Sequence, residues 1–243
     1  MKQFLDDRFL LTNSTAETLY QNYAKTMPIF DFHCHLNPAE IAGNKKYRNI
    51  TEIWLGGDHY KWRAMRACGV EERYITGDAP DKEKFFKWAE TIPQCIGNPL
   101  YHWAHQELKT FFGIDLLLSP ATAEQIWNTA NDLLQKDEFT ARSLIVRSNV
   151  TELCTTHDPA DSLEHHLQLA REGTFPVKVL PAFRPDKSFN IDKAGFVEYI
   201  GRLGKTSGMK IESLDQLLSA LQQRLEFFHQ VGCRVSDHAL DPV

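Results

Sequence analysis

Hydrophobic and polar positions alternate strictly along one segment near the start of the chain, residues 28–36. The apolar face holds Phe30, Phe32, Cys34 and Leu36, and the opposite face holds Ile29, Asp31, His33 and His35. Because side chains on a strand point to opposite faces in turn, the two imidazoles point the same way and can share one ion. The pattern predicts a β-strand whose apolar face packs on helices and whose other face carries chemistry.

Helical spacing dominates the residues on either side of this strand. Residues 15–26 show it before the strand, and residues 37–149 show it afterwards, between breaks made by glycine and proline. The helices predicted after the strand cover residues 51–67, 81–91, 100–112, 122–135 and 137–147. We therefore interpret residues 1–36 as a leading helix with the first strand, and residues 37–149 as a helical insertion.

From residue 150 onward, strand and helix patterns alternate. The strand candidates are residues 150–156, 175–183 and 233–238. Asp158 and Pro159 are typical of a helix N-cap and a first helical position, so a helix is predicted to follow them directly. Further helices are predicted over residues 192–203 and 213–231. This alternation indicates parallel strands joined by right-handed crossovers, so residues 150–243 are predicted to form further β/α units.

Polar residues stand at the end of each predicted strand. They are His33 and His35, then Thr156, His157 and Asp158, then Arg184, and finally Asp237 and His238. In a (β/α) barrel the carboxyl ends of the strands converge on one mouth, so these residues would meet. We predict an α/β fold of the (β/α)8-barrel type with a helical insertion after its first strand. Four strands are visible where a closed barrel needs eight, so we expect a complete barrel to require sequence that this chain does not contain.

Composition narrows the classes of function. The 243 residues carry a formal net charge of −5, so the chain lacks the basic field that recruits nucleic acid or an acidic membrane. Residues 1–8 include acidic side chains where a signal peptide has its apolar core, and no apolar run approaches the length of a membrane span. Five widely spread cysteines indicate reduced thiols in the cytoplasm.

Two candidate sites admit more than one interpretation. The pair His33 and His35 is either a metal site or two hydrogen-bonded strand histidines. Asp31 behind it is either a partner of the site or a buried structural acid. Residues 58–60, Asp-His-Tyr, either start a helix with Asp58 as its cap or form a loop at the barrel mouth whose His and Tyr carry protons.

Two other histidine pairs are interpreted as structural. His102 and His105 lie on one face of a predicted helix, and nothing in the sequence supplies a third metal ligand. His165 and His166 are adjacent and point apart, so we interpret them as surface residues.

Several motifs together resemble one enzyme family. They are residues 28–36, residues 57–66 (Gly-Asp-His-Tyr-Lys-Trp-Arg-Ala-Met-Arg), residues 96–103, residues 178–186 and residues 235–240. Through these motifs the whole chain is similar to the uronate isomerases, or glucuronate isomerases, of the amidohydrolase superfamily. The His-x-His pair is shared by the superfamily, whereas the Gly-Asp-His-Tyr-Lys-Trp-Arg run is far more specific. Family members are about twice this length, so the resemblance implies an N-terminal portion.

The resemblance implies an aldose–ketose isomerase of hexuronate catabolism, which interconverts D-glucuronate and D-fructuronate, and also D-galacturonate and D-tagaturonate. A proton moves between C2 and C1 through an enediol, which needs a base and a polarised carbonyl. By resemblance, His33 and His35 would hold a divalent metal, with zinc the first candidate and its requirement left open. His59 and Tyr60 would handle protons around O1 and the ring oxygen.

The resemblance also assigns residues to the substrate. Arg184 would bind the carboxylate or a nearby hydroxyl, and Asp237 would lie in or near the site. Where the family has Thr-Asp-Asp-Pro, this chain has Thr-His-Asp-Pro at residues 156–159. If the expected aspartate contributes to the site, its role at His157 is open; if only the cap matters, Asp158 retains it. Further site residues, including the C2 base, are expected beyond Val243.

The expected partner is a small hexuronate, with no nucleic acid and no membrane, and a homo-oligomer is left open. A metal-dependent hydrolase of the same superfamily is the first alternative, although hydrolysis requires neither the Gly-Asp-His-Tyr run nor Arg184. A non-catalytic barrel fragment is the second. We expect the isolated chain to be inactive, because a half-barrel exposes two sheet edges and half a core.

Overall fold

Three parallel strands form the sheet of this protein. The computed structural model describes residues 4–239. In spatial order the strands are β1 (Ile29–Cys34), β2 (Val150–His157) and β3 (Lys178–Phe183). The parallel pairing predicted from the sequence is confirmed for these strands, and the chain has an α/β fold.

The two strand pairs differ in regularity. β2 and β3 pair without interruption over six positions, which end with His157 opposite Phe183. The register between β1 and β2 shifts between Asp31 and Cys34. The carboxyl ends of the three strands therefore lie along one edge, but β1 reaches that edge with a local irregularity.

The predicted strand over residues 233–238 is reduced to one parallel bridge between Ser236 and Phe183. Phe183 donates its N–H to the Val235 carbonyl (3.1 Å), and Asp237 donates its N–H to the Phe183 carbonyl (3.3 Å). Two hydrogen bonds are too few for a strand, so the predicted strand over residues 233–238 is wrong in its length. The bridge that remains is parallel, as predicted. Residues 240–243, which end the predicted β/α region and the last family motif, lie outside the described residues.

The helices account for most of the rest of the chain. In residues 4–239 they are α1 (Ser14–Leu19), α2 (Pro38–Ala42), α3 (Ile50–Leu55), α4 (His59–Ala67), α5 (Asp81–Thr91), α6 (Pro99–Phe112), α7 (Ala123–Leu134), α8 (Ala141–Arg147), α9 (Glu164–Glu172), α10 (Phe196–Ser207) and α11 (Leu214–Val231). A π-helical turn, Tyr20–Ala24, continues α1. Within the same range, no helix is both long enough and apolar enough to cross a bilayer.

Most predicted helices are confirmed within a few residues, but the single helix over residues 51–67 is two helices. α3 ends with Gly56 as its C-cap, where a Cβ would meet the Glu52 carbonyl oxygen at 2.4 Å, so the position favours glycine. Asp58 then caps α4 by accepting the backbone N–H groups of Tyr60 and Lys61. The capped helix start is therefore confirmed for residues 58–60.

Two helix starts are predicted too early, because side chains form hydrogen bonds with backbone N–H groups just before each helix. The Ser143 hydroxyl accepts the Thr140 N–H at 2.8 Å, and α8 begins only at Ala141. The helix predicted directly after Asp158 begins at Glu164 instead. The Asp158 carboxylate accepts the Ala160 N–H, and the Asp161 carboxylate accepts the Asp158 N–H, so a side-chain-bonded turn occupies this stretch.

The chain folds as two compact units, which we describe separately. Unit 1 comprises Met1–Met27 and Lys46–Arg147, and unit 2 comprises Pro28–Lys45 and Ser148–Val243. Unit 1 is helical in its described part. Its core is a continuous cluster of apolar side chains, among which Trp54, Phe85 and Trp88 are almost inaccessible to solvent.

Unit 2 contains the sheet together with α2, α9, α10 and α11. Phe183 from β3 packs on Phe228 from α11, with ring centroids 5.1 Å apart. Tyr199 and Leu203 of α10 pack with Ala220 of α11 in a second buried cluster. α11 therefore packs directly on β3, and α10 packs on α11.

The apolar face of β1 is exposed. Phe30 is 52% exposed and Phe32 is 70% exposed. The prediction that this face packs on helices is therefore wrong for the described residues. β1 is an edge strand of the sheet, and α2, the helix that follows it, packs against α9 instead.

The end of β2 is joined to α9 by buried polar contacts. Thr155 and His157 share one face of the strand, and the Thr155 hydroxyl lies 2.9 Å from His157 Nε2 and 2.8 Å from His166 Nε2. His157 Nδ1 lies 3.2 Å from the Asp161 carboxylate. The interpretation of His166 as a surface residue is wrong, because it is 2% exposed.

His166 remains neutral in this environment. Its Nδ1 is buried and has no hydrogen-bond partner in residues 4–239. Burial, and secondarily the nearby His157 and His165, lowers the pKa of His166 to about 3. A proton therefore binds His166 far more readily in the unfolded chain than in the folded one.

This shift predicts an acid-sensitive contribution to stability. The His166 pKa is lowered on folding, so its contribution is complete above the unfolded value of about 6.5 and is lost as the pH falls towards the folded value. As the pH falls from 6.5 to 5, protonation linked to His166 should lower the free energy of unfolding by about 2 kcal/mol. We expect His166→Gln to remove this pH dependence of the free energy of unfolding, measured by urea denaturation at several pH values. His165→Gln should keep the pH dependence. Equal slopes in the protein and in His166→Gln would contradict the prediction.

Candidate active site at the ends of the parallel strands

A bidentate ion pair forms the centre of the candidate site in unit 2. Arg184 follows the last residue of β3, and Asp237 follows the bridge at Ser236. The guanidinium donates from Nε to Asp237 Oδ1 at 3.0 Å and from Nη2 to Oδ2 at 2.9 Å. Each side chain is 24% exposed, so the pair is largely shielded from water. Such fork-to-carboxylate pairs fix both partners in orientation.

His33 joins the same carboxylate from β1. Its Nδ1 lies 2.5 Å from Asp237 Oδ2. Partial burial alone would raise the pKa of the Asp237 carboxyl, but the bonds and charge of Arg184, and then of His33, outweigh it and lower that pKa below its usual value. Asp237 is therefore an anion at neutral pH, and its contact with His33 Nδ1 favours the tautomer that carries a proton on that nitrogen.

His35 lies one residue beyond β1, beside His33. The two imidazole rings meet edge to face, with centroids 5.0 Å apart. The Asp31 carboxylate accepts the backbone N–H of His33 at 3.4 Å. The structure thus brings together His33, His35, Arg184 and Asp237, as the sequence predicts, and places Asp31 behind them.

A metal ion would find two imidazole ligands in this part of the site. The contact from Asp237 to His33 Nδ1 leaves Nε2 of that ring as its ligand atom, which is the usual arrangement of a metal-binding histidine with a supporting carboxylate. The Asp237 oxygens are themselves taken by Arg184 and His33. Across residues 4–239, no group of three or more His, Cys, Asp or Glu side chains is arranged to hold an ion.

Asp186 and His238 extend the cluster; the sequence predicts His238 at a strand end that joins the site, but it gives no role to Asp186. Asp186 Oδ1 lies 2.9 Å from His238 Nδ1, and Asp186 Oδ2 accepts the Ala239 N–H at 2.7 Å. Asp186 also lies 3.9 Å from Arg184 Nε. The motifs Arg-Pro-Asp and Asp-His hold these residues, but their pairing spans 52 positions and leaves no local pattern.

His157 contributes to the site through its backbone. Its carbonyl accepts the Arg184 N–H at 2.8 Å, while its imidazole faces Thr155 and Asp161. Asp158 accepts the Ala160 N–H, as a capping aspartate does, and also pairs with Arg202 at 3.3 Å. In this chain His157 therefore anchors the strand end from which Arg184 projects.

His59 and Tyr60 belong to unit 1, where they occupy the first turn of α4. Both side chains are exposed, and their ring centroids are 4.3 Å apart with the planes tilted by 34°. The Arg63 guanidinium lies 5.6 Å from the centre of the Tyr60 ring. An imidazole and a phenol side by side on a capped helix start can exchange protons with a ligand.

Comparison with known proteins assigns the whole chain to a family. The sequence profile described as glucuronate isomerase matches residues 1–243. A uronate isomerase from Caldicellulosiruptor saccharolyticus is 60% identical over 241 residues, which cover 99% of this chain and 52% of the relative. One from Bacillus subtilis is 56% identical over 241 residues, with 99% and 51% covered. The chain thus spans about half the length of the curated relatives it matches.

Solved structures agree with the sequence comparison. A uronate isomerase from Thermotoga maritima superposes with a TM-score of 0.92 at 41% identity, over 98% of this chain and 52% of that one. A glucuronate isomerase from Caulobacter crescentus gives 0.88 at 27% identity, over 97% and 51%. With the profile match over its whole length, this chain belongs to the glucuronate isomerase family.

Proposed function

We propose that this chain is part of an aldose–ketose isomerase that interconverts D-glucuronate and D-fructuronate, and also D-galacturonate and D-tagaturonate, in hexuronate catabolism. The observation that carries the proposal is the connected array of Arg184, Asp237 and His33 at the ends of parallel strands. In this array the Arg184 guanidinium, which can bind an anionic sugar, lies next to the His33 imidazole, which the Asp237 carboxylate orients. Membership in the glucuronate isomerase family supports the same reaction.

Arg184 has the chemistry to hold the substrate carboxylate. A guanidinium carries five N–H donors, and Asp237 takes two of them. The remaining donors can form a charge-assisted pair with the C6 carboxylate of a hexuronate. Since Asp237 and the His157 carbonyl hold Arg184 in place, its orientation is set before the substrate binds.

We propose that His33 and His35 hold a divalent metal, with zinc the first candidate. A metal bound there would polarise an oxygen of the open-chain sugar. In this arrangement the Asp237 carboxylate has two roles, because it orients the His33 imidazole and also anchors Arg184. The same oxygen atoms thereby fix the distance between the bound carboxylate and the reacting end of the sugar.

We propose that His59 and Tyr60 move protons at O1 and at the ring oxygen. Ring opening requires an acid and a base at these atoms, and isomerisation then moves a proton between C2 and C1 through an enediol. An imidazole and a phenol in contact can serve as such a pair. The family resemblance, carried by the run at residues 57–66, is the support for these two roles.

We also propose that the sheet belongs to a (β/α)8 barrel. Three parallel strands and a parallel bridge beyond β3 are consistent with successive barrel strands. In this proposal residues 1–36 supply the first strand, residues 37–149 are an insertion, and residues 150–243 supply further β/α units. The free thiols of all five cysteines fit a reducing compartment, so we place the reaction in the cytoplasm.

The first test uses the complete protein and the substrate carboxylate. Arg184→Met should lower kcat/KM for D-glucuronate by about 30- to 1,000-fold, because it removes one partner of a shielded charge pair. Arg171→Met, at an exposed arginine of α9 that bonds its own helix, should have no effect. Formation of the ketose is the measurement. Cleavage of esters or amides without any ketose would overturn the proposal in favour of a hydrolase.

A second test concerns the 243-residue chain by itself. We expect no ketose from the isolated chain under conditions in which the complete protein is active. β1 is an edge strand of the sheet and Phe32 is 70% exposed, so the site lies beside a sheet edge with no neighbouring strand in the described residues. Turnover by the purified chain above the enzyme-free blank would contradict this expectation.

A further inference from the structure

A buried lysine lies in the first turn of α4, beneath His59 and Tyr60. Lys61 is 6% exposed, and its ammonium donates to Asp58 Oδ2 at 2.6 Å. Lysine is seldom buried unless its charge is paired, because removing an ammonium from water costs several kcal/mol. A methionine would fill the same space without that cost. The charge at Lys61 therefore needs a reason beyond packing.

Asp58 links this ammonium to the backbone of the two proposed proton carriers. Its Oδ1 accepts the N–H groups of Tyr60 at 2.9 Å and of Lys61 at 3.1 Å. Partial burial would raise the pKa of the Asp58 carboxyl, but the hydrogen bonds and charge of Lys61 lower it. Asp58 is thus a charged cap that the Lys61 ammonium holds against the start of the helix.

Glu107 adds a second carboxyl group from α6. Its Oε2 is buried and lacks a hydrogen-bond partner within residues 4–239. Burial raises the pKa of Glu107, while the charge of Lys61 and the indole of Trp54 act in the opposite direction and Asp58 adds to the rise. Glu107 therefore lies within the electrostatic influence of Lys61, whereas the hydrogen bond of the Lys61 ammonium goes to Asp58.

We propose that Lys61 is a positioning residue for His59 and Tyr60. Lys61 holds the carboxylate of Asp58, and Asp58 holds the backbone of the first turn of α4. The inference rests on the proposed function for the roles of His59 and Tyr60, but the chain of contacts does not. Because the side chains of His59 and Tyr60 are exposed, this backbone anchor sets where they are presented.

The contribution to catalysis follows from geometry. Proton transfer requires donor and acceptor within hydrogen-bond reach, and a displacement of about 1 Å can cost on the order of 100-fold in rate. Loss of the anchor should therefore reduce kcat more than it changes KM. It should also expose the N–H groups of Tyr60 and Lys61 to exchange with solvent.

The experiment compares three variants of the complete protein. Lys61→Met removes the ammonium and keeps most of the side-chain volume, and Asp58→Asn removes the carboxylate but keeps a residue that can cap a helix. Lys82→Met is the matched control, because Lys82 forms an exposed ion pair with Glu124 in the same unit. Each variant is assayed for ketose formation from D-glucuronate, for thermal midpoint, and for hydrogen–deuterium exchange of the peptide that covers residues 58–62.

We expect Lys61→Met to lower kcat by about 10- to 100-fold with KM within about threefold. Exchange of the Tyr60 and Lys61 amides should rise by about tenfold. Asp58→Asn should show smaller changes in the same directions, and Lys82→Met should show none. If Lys61→Met fails to fold, Asp58→Asn decides: exchange at residues 58–62 equal to that of the parent protein would overturn the proposal.

Asp58→Asn tests the order of the contacts. Asparagine also caps a helix, but it cannot pair with an ammonium as a carboxylate does. If Lys61 acts through Asp58, the double variant Asp58→Asn with Lys61→Met should be no slower than Lys61→Met alone. Multiplied losses of kcat would show that Lys61 acts by another route and would refute the inference.

The exchange measurement separates this inference from the proposed function. If the complete parent protein forms no ketose, the proposed function fails, whereas faster exchange in Lys61→Met still supports the positioning role. If the parent is active and Lys61→Met exchanges like the parent at residues 58–62, the positioning role fails and the proposed function stands.

Discussion

The candidate site depends on one interaction, the bidentate pair of Arg184 and Asp237. These residues follow different segments of the chain, and the pair holds the end of β3 to the bridge at Ser236. The backbone N–H of Arg184 is bonded to His157 at the end of β2, and Asp237 reaches His33 of β1. The Asp237 carboxylate is therefore connected, directly or through Arg184, to all three strands. Without it, the partly buried Arg184 guanidinium would keep only Asp186, 3.9 Å from its Nε, and the His33 imidazole would lose its carboxylate partner.

The same physical device appears independently in each unit. In unit 1, Lys61 is paired with Asp58, and in unit 2, Arg184 is paired with Asp237. Apolar side chains of similar volume would give comparable or greater stability at such positions. Ion pairs differ from them in fixing direction, because a carboxylate accepts hydrogen bonds only from certain angles. Both units thus place a directional ion pair beside the residues proposed to act on the substrate.

Local patterns allowed much of this structure to be predicted. Alternation identified β1 and its imidazole pair, helical periodicity identified α5, α6, α7 and α11, and a capping residue identified the start of α4. Arg184 and Asp237 were each predicted at a strand end. Their mutual bond was not, because it joins residues 53 positions apart and no local period records such a contact.

The remaining errors have the same origin. His166 has a polar neighbour in sequence and looks like a surface residue, yet Thr155 of β2 supplies its buried partner. The start of α9 was misplaced because Asp158 and Asp161 bond to nearby backbone groups before a helix can form. Phe30 and Phe32 looked like core residues because alternation specifies a face and not what covers it.

The register shift between Asp31 and Cys34 has a consequence for the chain during synthesis. A straight edge strand with exposed phenylalanines would be a template on which a second chain could add its own strand. An irregular strand twists and presents its N–H and C=O groups out of step, so a second copy cannot match them over many residues. The distortion that shapes the approach to His33 would therefore also protect nascent chains from intermolecular sheet extension.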